Sequence, residues 1–159
     1  MFPHKLKRAK VLPLFKKGDK ERMENYRPVS LLTSISKVFE KVVFVQLSQY
    51  FQDNGLFYEG QYGFRENHST EFATVELLDR IISSLDNKQL PLSVFMDLSK
   101  AFDTLDHRIL LDKLYFYGIK GVALNWFASY LSNRSMYVEI DSSTSTAQTI
   151  TTGARLTNL

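Results

Sequence analysis

The segment Val94-Phe95-Met96-Asp97-Leu98-Ser99-Lys100-Ala101-Phe102-Asp103-Thr104-Leu105-Asp106-His107 is the most informative stretch of this 159-residue chain. An apolar run ends in an acid, and a second acid follows after Lys100-Ala101-Phe102. An apolar run of this length predicts a buried strand, which would place the carboxylate of Asp97 at the end of a sheet. Because burying an unpaired charge is costly, we expect Asp97 to bind a cation or strong hydrogen-bond donors there.

A divalent metal held by oxygen ligands is the first candidate for that cation. Two-metal phosphoryl transfer needs several acids around ions that lie about 3.5–4 Å apart, so Asp97 alone cannot form such a site. Asp103 need not face the same metal, and we interpret it as a cap or an ion-pair partner; Asp106 is interpreted as a helix N-cap. Phe102 is either an ordinary core residue or a ring packed under a bound sugar, where it would exclude a 2′-hydroxyl.

The composition is that of one folded domain with a mildly basic surface. Hydrophobic residues make up 44% of the chain, the net charge is +3, and cysteine is absent. Disulfides and thiolate metal sites are therefore excluded, and an intracellular location, in cytoplasm or nucleus, is expected. The basic residues crowd near the N-terminus, which fits either a solvated face or a nucleic-acid partner. No apolar run is long enough for a membrane span, and no secretory signal is seen.

The periodicity of the chain predicts an α+β fold. Helices are expected over residues 34–54, 69–85, 106–117 and 122–131, with Ser69 and Asp106 as N-caps. Residues 136–140 and 148–152 are expected to form a hairpin. Residues 11–15 read as a short strand whose proline, Pro13, predicts an edge or irregular position.

Two further groups of residues have both a structural and a functional interpretation. Lys16, Lys17 and Arg27 surround a turn and a proline-stiffened segment; they are surface charges or a clamp for a triphosphate. The other group is a glycine-punctuated loop, either a structural turn or a place where a backbone, a ring and a cation approach nucleic acid. Its members are Gln61, Gly63, Phe64 and Arg65.

Four motifs in this order resemble the reverse transcriptase of non-LTR retrotransposons, most closely of the LINE or jockey type. They occupy residues 14–19 (LFKKGD), 25–32 (NYRPVSLL), 61–65 (QYGFR) and 95–103 (FMDLSKAFD). The resemblance implies a right-handed polymerase fold, with fingers and the first part of the palm over residues 11–153. Residues 1–10 would be a basic N-terminal arm and residues 154–159 a divergent tail.

The resemblance also implies roles for individual residues. Asp97 would be catalytic and would bind metal together with the backbone carbonyl of Leu98, in a site for two Mg²⁺ ions. Nucleotide binding would fall to Lys16, Lys17, Arg27 and the sugar-gating Phe102. Gln61, Gly63, Phe64 and Arg65 would contact the template–primer. The partners implied are an RNA template, a DNA primer and deoxynucleoside triphosphates, with no membrane.

The chain also departs from the family's pattern. Residues 154–159 stand where the family continues into Val-Pro-Gln-Gly-Ser, and no Tyr-x-Asp-Asp sequence occurs in the 159 residues. We therefore expect a truncated fragment that is marginally stable and inactive as a polymerase by itself. The alternatives are a non-catalytic nucleic-acid-binding remnant or an inert relic. A phosphoacceptor aspartate is disfavoured, because Leu98 and Ser99 stand where further acids would be expected.

Overall fold

The computed structural model describes residues 1–98 and 101–153, which divide into two compact units. The first contains Met1–Val45 and the described residues from 101 onward, and the second is Gln46–Leu98. Both contain helix, and the first also contains a sheet, so the mixed composition agrees with the predicted α+β class.

The first unit is built on a five-stranded sheet. Its strands are β1 (Arg8–Phe15), β2 (Tyr26–Leu31), β3 (Arg134–Ile140), β4 (Ser143–Thr144) and β5 (Gln148–Ile150). β1 lies between β2 and β3, antiparallel to β2 and parallel to β3. Both β4 and β5 pair antiparallel with β3, which confirms the predicted hairpin near the end of the chain.

Among the described strands, only β2 pairs with the part of β1 that contains the proline. β3 pairs with Arg8 to Val11, whereas β2 pairs with Lys10 to Phe15, and Pro13 faces Pro28 in that register. Since proline has no N–H to donate, it is tolerated beyond the end of the β3 pairing. The edge position predicted for residues 11–15 is therefore correct for Leu12 to Phe15 among the described strands, and Val11 is the exception because it pairs with both β2 and β3.

Four α-helices occupy the regions that periodicity predicted. They are α1 (Ser34–Asp53), α2 (Thr70–Asp86), α3 (His107–Phe116) and α4 (Gly121–Leu131). Both predicted caps are confirmed: the Ser69 hydroxyl accepts from the N–H of Phe72, and the Asp106 carboxylate accepts from the N–H groups of Arg108 and Ile109. These bonds satisfy backbone donors that have no partner within the helix.

The core of the first unit is centred on Phe2, whose residue surface is 2% exposed. Its ring meets those of Phe39, Trp126 and Tyr130 edge-to-face, with centroids 6.0, 5.7 and 5.0 Å away. Arg8, Ala9 and Lys10 lie in β1, and Ala9 is buried. The residues predicted as a basic N-terminal arm therefore include the buried Phe2 and Ala9 and the start of β1.

The predicted strand ending at Asp97 is absent. Residues 89–98 form neither strand nor helix, and Val94, Phe95 and Met96 are largely exposed. A strand is stabilised by ladder hydrogen bonds and by burial of its side chains. No described residue pairs with this run, so its apolar composition alone does not make it a strand.

The helices also leave apolar stripes uncovered. The stripe of α1 comprises Ile35, Val38, Val42 and Val45, and that of α2 comprises Val75, Leu78, Ile82 and Leu85; every one of these residues is more than half exposed. The helical periodicity of these segments is confirmed, but these apolar side chains are not buried as that periodicity normally indicates. Among the described helices, none has the length and apolarity needed to cross a bilayer.

Candidate functional site

The β1–β2 hairpin presents the cations that were predicted to grip a triphosphate. Leu14 pairs with Arg27, and the N–H of Lys16 donates to the carbonyl of Asn25 at 2.8 Å, which extends the ladder beyond the strand. Because paired residues share a face and side chains alternate, Lys16 and Arg27 lie on one face of the hairpin. Lys16, Lys17 and Arg27 are exposed, and none makes an ion pair with another described residue.

The turn of this hairpin is closely braced. Gly18 has φ +93°, and a Cβ there would lie 2.8 Å from Nδ2 of Asn25, so glycine is required by both conformation and space. The same Nδ2 donates to the carbonyl of Asp19 at 2.8 Å, and the Tyr26 hydroxyl donates to the carbonyl of Lys20 at 2.8 Å. A braced turn limits the entropy lost when its cations bind an anion.

In the second unit, the loop between α1 and α2 is held together by hydrogen bonds to the carbonyl of Tyr58. This oxygen accepts from the N–H of Gln61 at 3.0 Å and from Nη1 of Arg65 at 3.3 Å. The Arg65 guanidinium also lies 5.2 Å from the centroid of the Phe57 ring, and its Nε is buried without a partner among the described residues. Arg65 thus holds its own loop together, and its contact with the template–primer stays a prediction.

Within the same loop, Gln61 forms a hydrogen bond with Gly63, and the backbone of Phe64 is strained. Nε2 of Gln61 donates to the carbonyl of Gly63 at 3.1 Å. Phe64 has φ +58°, a conformation that costs a residue with a Cβ, and it is 85% exposed. The four residues predicted to contact the template–primer are therefore brought together in one compact loop.

Tyr58 is a residue of this loop that the sequence analysis missed. It is 78% exposed, and its ring lies so close to Gly60 that a Cβ on Gly60 would be 2.8 Å from Cε1 of Tyr58. The only signal in the sequence is an aromatic residue two positions before a glycine, which many ordinary turns share.

Asp97 and Leu98 are both exposed, at the end of the irregular run in the second unit. Among the described residues there is no group of three or more His, Cys, Asp or Glu side chains that could hold a metal ion. A lone exposed carboxylate does not fit a two-metal site, which needs several hard oxygen ligands. The predicted roles of Asp97 and the Leu98 carbonyl as metal ligands remain predictions.

Hydrogen bonds connect the segment after residue 100 to the residues that follow β5. The N–H of Gly153 donates to the carbonyl of Leu105 at 2.7 Å, and Nε2 of His107 lies 2.9 Å from the carbonyl of Gly153. Thr152 forms an isolated bridge with Asp106. Hydrogen bonds from the N–H groups of Arg108 and Ile109 lower the pKa of Asp106, because they stabilise its charged form.

Asp103 contributes to a cleft of about 240 Å³ in the first unit, beside the sheet. Tyr130, Arg134 and Thr152 also line the cleft. Phe102, the predicted sugar gate, is about half exposed and does not line it.

The predicted site residues are divided between the two units. Lys16, Lys17, Arg27 and Phe102 belong to the first, whereas Gln61, Gly63, Phe64, Arg65, Asp97 and Leu98 belong to the second. The structure thus assembles a cationic hairpin in one unit and an aromatic loop in the other.

Comparison with known proteins agrees with the four motifs. The family model described as reverse transcriptase (RNA-dependent DNA polymerase) matches residues 15–156. In Drosophila melanogaster, the probable RNA-directed DNA polymerases from transposon BS and from transposon X-element are 31% and 33% identical to this chain. The RNA-directed DNA polymerase from mobile element jockey is 28% identical.

Each of these matches covers 96% of this chain but 17% of the relative's length. The predicted kinship with polymerases of jockey-type mobile elements is confirmed. The chain belongs to the reverse transcriptase (RNA-dependent DNA polymerase) family.

Proposed function

We propose that this chain supplies the fingers and the first part of the palm of an RNA-directed DNA polymerase from a non-LTR mobile element. Its own contribution is to bind the incoming deoxynucleoside triphosphate and the RNA template with its DNA primer. The observation that carries this proposal is the face of the β1–β2 hairpin on which Lys16 and Arg27 stand together, exposed and without ion pairs among the described residues.

The chemistry of these cations suits a triphosphate. A guanidinium such as that of Arg27 can bind two phosphate oxygens at once, whereas the ammonium groups of Lys16 and Lys17 act as point charges. Both kinds of group lie at one end of a two-stranded ribbon, within reach of a flexible polyphosphate. Phe102 is the proposed gate that excludes a 2′-hydroxyl from the sugar site.

The reverse transcriptase family uses divalent metal ions. Asp97, with the carbonyl of Leu98, is the proposed contribution of this chain to a Mg²⁺ site. The described residues do not complete that site, since Asp97 is exposed and no group of three metal-binding side chains is found among them. We therefore assign the chain a binding role.

A triphosphate-binding assay tests the proposal. Displacement of a fluorescent deoxynucleotide by dTTP and by dTMP would be measured for the wild type, Arg27→Gln and Arg108→Gln. Arg108 is a matched control, because its side chain is also exposed but lies on α3. The proposal expects dTTP to displace better than dTMP and Arg27→Gln to lose roughly tenfold in dTTP affinity, as for one charged hydrogen bond. Equal affinities for dTTP and dTMP, or equal losses in both variants, would overturn it.

A further inference from the structure

We propose that Tyr58 is a stacking platform for an unpaired base of single-stranded RNA, with Phe64 as a second ring in the same loop. The inference rests on the proposed function in one respect, namely that the chain binds a nucleic acid. The inference goes beyond the proposed function because it assigns the contact to a residue outside the four motifs. It also makes the contact aromatic rather than ionic.

The first support is the way in which Tyr58 is held. Its carbonyl accepts hydrogen bonds from Gln61 and Arg65, so the backbone beneath the ring is fixed. The ring packs against Gly60, where even a methyl group would collide with it. A ring that is fixed and yet 78% exposed loses little conformational freedom when a base stacks on it.

The second support is the strained backbone of Phe64. A bulky residue at φ +58° is uncommon, and here the strained residue is largely exposed to solvent. Strain of this kind persists where the surrounding structure imposes it, and it is concentrated at ligand-binding positions. Glycine would adopt this conformation at less cost than phenylalanine.

The charges of the loop favour bases over phosphates as the groups contacted. Arg65 is engaged with the Tyr58 carbonyl and the Phe57 ring, and the loop also carries the exposed acids Glu59 and Glu66. Two acids and an arginine that is already engaged would attract phosphates poorly. Every nucleobase, in contrast, has a face on which an aromatic ring can stack. In a duplex those faces are already stacked, so the partner is an unpaired strand.

Binding of a short fluorescein-labelled oligouridylate to the full chain tests this inference. Affinity would be measured by anisotropy over a range of salt concentrations for wild type, Tyr58→Ala, Tyr58→Phe and Gly60→Ala. Phe116→Ala is the control, because Phe116 is as exposed as Phe64 but lies on α3. Circular dichroism and thermal unfolding would show that each variant folds like the wild type.

The inference expects Tyr58→Ala to lose roughly tenfold in affinity, by the same factor at every salt concentration, since stacking releases no counterions. Tyr58→Phe should bind like the wild type, and Gly60→Ala should lose affinity because its methyl group displaces the ring. Wild-type affinity in Tyr58→Ala, or an equal loss in Phe116→Ala, would overturn the inference while leaving the proposed function standing. Absence of binding by the wild type would overturn the inference, whereas the proposed function would still be decided by the separate displacement assay with dTTP and dTMP.

Discussion

The hydroxyl of Tyr130 donates a hydrogen bond of 2.7 Å to Oε1 of Glu40, and it thereby joins α4 to α1 inside the first unit. The Tyr130 ring also stacks on Trp126 and meets Phe2 edge-to-face. A cation completes the arrangement, since the guanidinium of Arg134 lies 4.5 Å from the centroid of the Tyr130 ring. This cluster connects α1 and α4 to Arg134 of β3, a strand of the sheet that also contains the β1–β2 hairpin.

Replacing Tyr130 by phenylalanine should destabilise the chain by about 1–2 kcal/mol. The ring packing is kept, but the hydrogen bond to a carboxylate is lost and Glu40 is left with the Ser36 hydroxyl at 3.4 Å. Chemical denaturation of the full chain measures the difference. Tyr115→Phe is the control, because Tyr115 is more than half exposed; an equal effect of both substitutions would contradict the role given to the hydrogen bond between Tyr130 and Glu40.

The same tyrosine predicts a loss of stability at alkaline pH. Burial is the main cause that raises the pKa of Tyr130 above its ordinary value of 10.0. The folded state therefore holds the phenolic proton more tightly than the unfolded state, so the stabilisation is complete below pH 10 and is lost as the pH rises further. The free energy of unfolding of the wild type should fall more steeply above pH 10 than that of Tyr130→Phe. Parallel curves would show that Tyr130 does not titrate differently in the two states.

Gly153 should tolerate no side chain. It has φ +87°, and a Cβ there would lie 3.0 Å from the backbone carbonyl oxygen of Asp103. Gly153→Ala should therefore destabilise the chain by about 2 kcal/mol, more than the roughly 1 kcal/mol expected from backbone strain alone. Gly121→Ala isolates the strain, since Gly121 has φ +57° with nothing within 4 Å of its Cβ. Equal losses in the two variants would show that the contact with Asp103 contributes nothing.

The uncovered apolar stripes predict poor solubility of the isolated chain. Leu78 lies exposed in the apolar stripe of α2. Leu78→Lys should therefore reduce aggregation and the binding of dyes that recognise apolar surface. It should change the free energy of unfolding by no more than about 0.5 kcal/mol. Leu114→Lys is the opposite case, because Leu114 is buried and a charge there should unfold the chain. Light scattering and thermal unfolding separate the two effects. A strong loss of stability in Leu78→Lys would show that the stripe of α2 is covered in solution.

Local patterns were sufficient to predict the helices and the hairpin of β3 with β5, but not the pairing of β1 with β3. Spacings of three and four residues, with Ser69 and Asp106 as caps, located α2 and α3 to within a few residues. The parallel pairing of β1 with β3 joins segments such as Val11 and Val138, and no local pattern reports a contact over that separation. The prediction of a strand that ends at Asp97 was wrong for a related reason, because apolar composition does not reveal whether a neighbouring strand exists.

The candidate site was predictable only in part. The cations of the hairpin and the loop of residues 61–65 were located through their motifs, and the structure explains how each group is held in place. Tyr58 was missed because its exposure depends on a close contact with Gly60 and on hydrogen bonds to its carbonyl, neither of which leaves a pattern in the sequence.

Displacement of a fluorescent deoxynucleotide by dTTP and by dTMP, compared between the wild type and the double variant Lys16→Gln/Lys17→Gln, tests the central claim most directly. The ammonium groups of the two lysines act as point charges on a bound triphosphate, and dTMP offers them less phosphate charge. The double variant should therefore lose roughly tenfold or more in dTTP affinity and much less in dTMP affinity. An unchanged dTTP affinity, or an equal loss for dTTP and dTMP, would contradict the assignment of the β1–β2 hairpin to triphosphate binding.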